Sequence, residues 1–205
     1  MGLLLTLLMT TFQTDPAFPT ADIAGDRITA TVALPDARAG YYRGTRFDWS
    51  GALLSLRWNG HEYFGPWFEH HDPNGHDGIT GPVEEFQAGA SSVGYAEAPA
   101  GGTFLRIGVG HVRKPEEPAY RRFGTYEIVD NGAWTIERAQ GQMTFTHTLG
   151  ESNGYAYVYR KTLTLAGDSL ILEHSLRNTG RKRIETAVYN HNFFTLDRQP
   201  TNQDI

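Results

Sequence analysis

From residue 28 onward the chain alternates apolar and polar positions in short runs, each broken by Gly, Asn, Asp or Pro. Nowhere does the 3.6-residue spacing of an amphipathic helix persist, so the pattern predicts strands joined by turns. The runs fall at 28–34, 52–58, 61–64, 103–109, 126–129, 134–139, 142–148, 155–165, 170–176 and 184–189. Asn59-Gly60 separates the second run from the third, and both residue types tolerate the positive φ that a two-residue hairpin requires. Asp130-Asn131-Gly132, Gly167-Asp168 and Asn178-Thr179-Gly180 punctuate the later runs in the same way. Tyr155, Tyr157 and Tyr159 stand two apart, which puts their rings on one face of a strand.

This density of strands predicts an all-β fold, a large antiparallel β-sandwich occupying residues 26–205. One segment interrupts the rhythm. Residues 65–86 are polar and rich in His, Asp, Gly and Pro, which reads as a functional loop, and Trp67, Phe68 and Phe86 predict that it is packed. Residues 1–25 read as a signal-like apolar segment and a linker. The run from Met1 to Met9 is too short to span a bilayer but suits the core of a secretory signal, the alternative being a disordered tail. That reading places the protein in a secreted or periplasmic compartment, with no membrane association beyond the signal.

Composition narrows the chemistry. At 205 residues and 40% hydrophobic, the chain is long enough to bury a substantial core. Its lack of cysteine excludes disulfides, thiolate metal sites and cysteine nucleophiles. A net charge of −5 with scattered Lys and Arg gives no electrostatic footprint for nucleic acid. The densest basic group, Arg181-Lys182-Arg183, falls at a turn and reads as solvated. Ser50 and Ser175 lack the strained elbow of a nucleophilic serine. Gly108-x-Gly110 leads into no helix that could hold a phosphate, and no cofactor is implied.

The most specific segment begins at Tyr155. Tyr159-Arg160-Lys161-Thr162-Leu163-Thr164-Leu165, the Gly167-Asp168 turn and Asn178-Thr179-Gly180 lead into Val188-Tyr189-Asn190-His191-Asn192-Phe193-Phe194-Thr195-Leu196. Long strands ending in Asn-His-x-Phe-Phe resemble the galactose mutarotase, or aldose 1-epimerase, superfamily. Its element reads Asn-His-x-Tyr-Phe-Asn-Leu, so Phe193 and Thr195 depart from it. The resemblance spans residues 48–196 and is weakest between 65 and 130. It implies a supersandwich fold, a small-molecule sugar as partner and reversible ring opening of an aldose. By resemblance His191 is the general acid that protonates the ring oxygen, and Asn190 orients it or contacts the sugar. Imidazole suits that role because it titrates near neutral pH. The family's base is a glutamate nearer the C-terminus, so the resemblance implies a C-terminally incomplete domain whose base lies outside this chain. The alternative is a carbohydrate-binding sandwich that keeps the cleft without the chemistry.

Within 65–86, the family's second histidine points to His76, with His70 and His71 as rivals. Read without the family, these histidines with Asp72 and Asp77 could form a metal site, or Asp72, Asp77, Glu84 and Glu85 a calcium site, but no defined spacing supports either. Glu84 and Glu85 are also the in-chain candidates for the base. Arg43 and Arg46, set among Tyr41, Tyr42, Phe47 and Trp49, suit sugar recognition through guanidinium donors and aromatic faces. The structural alternative is that these arginines pair with Asp48 and pin the loop.

Overall fold

A computed structural model describes residues 18–68 and 70–200. The signal-like run and Glu69 lie outside the described residues. Among the described residues the chain is all strand, turn and loop, with no helix. The strands are β1 (Thr20–Ala24), β2 (Ile28–Ala33), β3 (Leu53–Trp58), β4 (His61–Tyr63), β5 (Val83–Gln87), β6 (Thr103–Arg106), β7 (Gly110–Arg113), β8 (Ile128–Asp130), β9 (Ala133–Ala139), β10 (Gln142–Ser152), β11 (Tyr155–Ala166), β12 (Ser169–Asn178), β13 (Ala187–His191), β14 (Thr195–Leu196) and β15 (Gln199–Pro200).

Two antiparallel sheets make the sandwich. One runs β1-β2-β3-β4-β14-β15 and the other is the meander β12-β11-β10-β9. Ile23, Ile28, Val32, Leu53 and Leu56 from the first sheet pack on Met143, Phe145, Leu163 and Leu165 from the second. Burial of these alternating side chains drives the two layers together, at about 1.5–3 kcal/mol for each large aliphatic side chain. Asn59 and Gly60 both take positive φ (51° and 83°), as the β3–β4 hairpin requires. Asn153 and Gly154 do the same between β10 and β11.

A three-stranded sheet, β6-β7-β8, and a ribbon of β13 with β5 complete the fold. Tyr155, Tyr157 and Tyr159 are all buried on one face of β11, against Leu105, Ile107 and Leu149. Lys182 and Arg181 at the β12–β13 connection reach Glu97 and Glu151 at the surface.

The structure departs from the sequence pattern in three places. Thr20–Ala24, placed in the linker, is an edge strand paired along its length with β2. The run 103–109 is a hairpin: Gly108 takes φ 78° and turns β6 back onto β7. The 65–86 segment ends in strand β5, whose five residues pair with all five of β13.

Candidate functional site

The ribbon of β5 and β13 organises the polar chemistry. Its register sets His191 opposite Val83, Asn190 opposite Glu84 and Tyr189 opposite Glu85. Because side chains alternate along a strand, Glu85, Tyr189 and His191 share one face while Glu84 and Asn190 share the other.

On the first face, His191 closes β13 and is partly exposed. Its ring stacks on Phe193 at 3.7 Å and meets the edge of Phe47 at 5.9 Å. Phe193 takes a positive φ of 38°, which folds its backbone N–H back toward His191 Nδ1 at 3.3 Å. With Nδ1 accepting that bond, the neutral ring carries its proton on Nε2. Burial depresses the His191 pKa and the Arg46 charge depresses it further, while Glu85 and Asp77 oppose both.

Arg46 is fixed from several directions. The guanidinium of buried Arg106 donates to the carbonyls of Thr45 and Arg46. The hydroxyl of Tyr42 accepts from the backbone N–H groups of Arg46 and Phe47. The Arg46 guanidinium lies over Phe47 at 4.3 Å and over Phe123 at 4.6 Å. Its Nε donates to Glu85 at 3.0 Å, and Arg122 donates two bonds to the same carboxylate, at 3.0 and 2.8 Å. Burial alone would raise the Glu85 pKa, but the two arginines outweigh it and hold the carboxyl below its ordinary range. Exposed Trp67, Phe123 and Tyr189 surround the group, with Trp67 against Phe193 and Arg122 over Tyr189. His76 joins at the rim, 5.0 Å from Phe123 and 3.6 Å from Asp77.

The opposite face is sealed and structural. Lys161 Nζ meets Glu84 at 2.5 Å, donates to the Ser50 carbonyl at 3.0 Å and lies 3.7 Å from Asp48. Asp48 also accepts from Ser50 and from Tyr159. Two carboxylates against one ammonium are short of positive charge, and burial pushes the Asp48 pKa up to about 6, with Lys161 opposing and Glu84 adding. Asn190 donates to Glu84 at 2.9 Å, and His174 Nε2 lies 3.2 Å from the same oxygen.

The structure therefore brings together Arg46, Glu85 and His191, with His76 one ring away, and separates the rest. Asn190 neither orients His191 nor shares its face, because strand alternation turns it onto Glu84. Glu84 is buried behind the ribbon. Arg43 turns away to the carbonyl of Arg38, with its backbone N–H on Pro73. Glu85 is fully covered, and its carboxylate is taken up by Arg46 and Arg122. Asp48 pins its loop through Ser50, Tyr159 and Lys161, with no arginine involved. Among the described residues no group of three or more His, Asp or Glu is placed to hold a metal ion. In the loop, His71 instead stacks on Tyr41 at 4.1 Å.

Arg122, Phe123 and Tyr189 were not singled out from the sequence. A signal was present: Arg122-Phe123 repeats the Arg46-Phe47 dipeptide, and in the fold both arginines converge on Glu85. Compared with known proteins, the chain matches no family model, no curated protein and no solved structure.

Proposed function

We propose that this chain is a carbohydrate-active domain of the aldose 1-epimerase type, which binds a pyranose on the His191 face. The observation that carries the reading is His191 itself: ring-stacked, tethered at Nδ1, partly exposed and beside a fixed arginine among exposed aromatics. Aromatic faces take the C–H side of a sugar, while arginine and imidazole donate to its oxygens.

In this reading His191 acts as a neutral donor. Its Nε2–H bonds to the ring oxygen and passes over its proton as the C1–O5 bond breaks, so that oxygen becomes the C5 hydroxyl and the imidazole an imidazolate that takes the proton back on closure. The anomeric hydroxyl loses its proton to a base as the C1=O1 double bond forms, and closure on the other face exchanges the anomers. A depressed imidazole pKa suits an electrophile that works uncharged. Neither Glu84 nor Glu85 fits the base, since one is sealed behind Lys161 and the other is spanned by two arginines. Among the described residues, Asp77 is the carboxylate that acts on His191 without an arginine partner.

That commitment of both glutamates favours a second reading, sugar binding without turnover. Anomer exchange of free aldoses, followed by NMR, separates the two. The epimerase reading expects acceleration that falls by about 10²–10⁴-fold in His191→Ala and also drops in Asp77→Asn. Because the active imidazole is neutral, the rate should fall only on the acid side, through a pKa below 6.5, and that limb should vanish in His191→Ala. Sugar binding with no acceleration by the folded chain would leave the second reading standing. Neither binding nor acceleration would defeat both.

A further inference from the structure

The arginine pair has more donor capacity than its surroundings use. Arg46 has a side chain only 9% exposed, yet Nε is its one side-chain nitrogen with a hydrogen-bond partner among the described residues. Among the described residues neither terminal nitrogen of Arg46 has a hydrogen-bond partner, and neither is a buried unpaired atom as Trp134 Nε1 and Thr195 Oγ1 are. Arg122 likewise spends Nε and Nη2 on Glu85 and leaves Nη1 over. Among the described residues, the two guanidinium groups share one fully covered carboxylate, which leaves a positive charge uncompensated. Asp77, the other carboxylate near His191, sits 3.6 Å from His76 and forms an ion pair with neither arginine.

The geometry points to an anion subsite at Arg46 and Arg122, and hence to an acidic sugar as the ligand of this face. This inference rests on the carbohydrate reading and names its substrate class: a saccharide bearing a carboxylate, or a phosphate or sulfate ester. Three features support an anion over a neutral hydroxyl. Planar guanidinium forks match the paired oxygens of such groups, and a charged acceptor makes the stronger bond. Phe47 and Phe123 clamp the Arg46 plane, so little side-chain freedom is lost when it binds. Glu85 takes only the inner edge of each arginine, which orients the pair and leaves the unused nitrogens for a ligand.

The test is calorimetric titration of the whole chain with glucose, glucuronate, glucose 6-phosphate, glucose 6-sulfate and inorganic phosphate, at low and high salt. At least one acidic sugar should bind about tenfold or more tightly than glucose, with a preference that shrinks as salt rises. Which acidic sugar leads identifies the anionic group. In Arg122→Gln the acidic-to-neutral ratio should collapse to near unity, and Arg122→Lys, which keeps the charge but loses the fork, should fall between. The two arginine variants check each other, since a mere folding defect would not restore preference with lysine. Equal affinity for glucose and for every acidic sugar would overturn the subsite and leave the carbohydrate reading intact. Phosphate binding that depends on Arg122, with no sugar bound, would keep an anion site but overturn the acidic-sugar assignment and the carbohydrate reading with it. No binding of any probe would overturn both.

Discussion

His147 shows how much one side chain can depend on a complete set of partners. It stacks on Trp134 at 4.3 Å, its Nε2 lies 2.8 Å from the Asn131 carbonyl, and its Nδ1 faces the Tyr157 hydroxyl at 2.9 Å. That hydroxyl in turn accepts from the Gly108 backbone N–H. A neutral ring satisfies every contact, whereas a second proton would land on a nitrogen that already accepts one. Burial accordingly lowers the His147 pKa to about 4. The folded state then resists a proton that the unfolded chain takes up near 6.5, so this contribution is complete above 6.5 and is lost as pH falls toward 4. The loss amounts to about 3 kcal/mol, and His147→Gln should flatten it in denaturant titrations across that window. Asp48 works the other way: its folded pKa of about 6 lies above the unfolded value, so its share is present below 3.8 and lost as pH rises through 6. Lys161 raises a related question of charge. Lys161→Met strands two buried carboxylates and should cost about 3–5 kcal/mol in equilibrium unfolding, with part recovered in the double variant with Glu84→Gln.

Among the strands, legibility followed the origin of each signal. β10, β11 and β12 are long and alternate cleanly, and their turns use residues that accept positive φ, so hydrophobic period and turn chemistry agreed. β5 was hidden because Val83–Gln87 carries adjacent carboxylates, and their partners Lys161, Arg46 and Arg122 are far away in sequence. Only the fold explains why a polar pentapeptide is a buried strand. β1 was lost for a different reason, since a short segment with Asp22 at its centre carries too little pattern. In the candidate site, motif and composition name His191 and Arg46, but that Asn190 and Glu84 lie on the opposite face is not legible without the pairing register. The split of 103–109 into a hairpin is testable. A methyl group at Gly108 would lie 2.6 Å from Asp48 Oδ1, at a φ of 78° that side chains rarely adopt. Gly108→Ala should therefore destabilise by about 1–3 kcal/mol and disturb the Asp48 cluster, visible as a change in the near-neutral part of the stability profile.

Taken whole, the molecule keeps its stability and its candidate chemistry in different layers. The sandwich core lies between the two large sheets, while the His191 face is built by loops and a two-stranded ribbon beside it. Ligand on that face should still protect the entire fold by mass action. A sugar at ten times its dissociation constant should add about 1.4 kcal/mol to global stability, and a thermal melt that does not move at saturation would show that the face unfolds separately. The ribbon also has a consequence for how such a chain can vary. Consecutive glutamates serve opposite masters, Glu84 the sealed lysine and Glu85 the arginine pair. β5 and β13 thus behave like a text read in a frame of two: deleting one residue from either strand exchanges the two columns and spells nonsense on both sides, while a two-residue indel restores the sense. Length changes should consequently accumulate in the 65–82 connection, in even steps or not at all inside the ribbon.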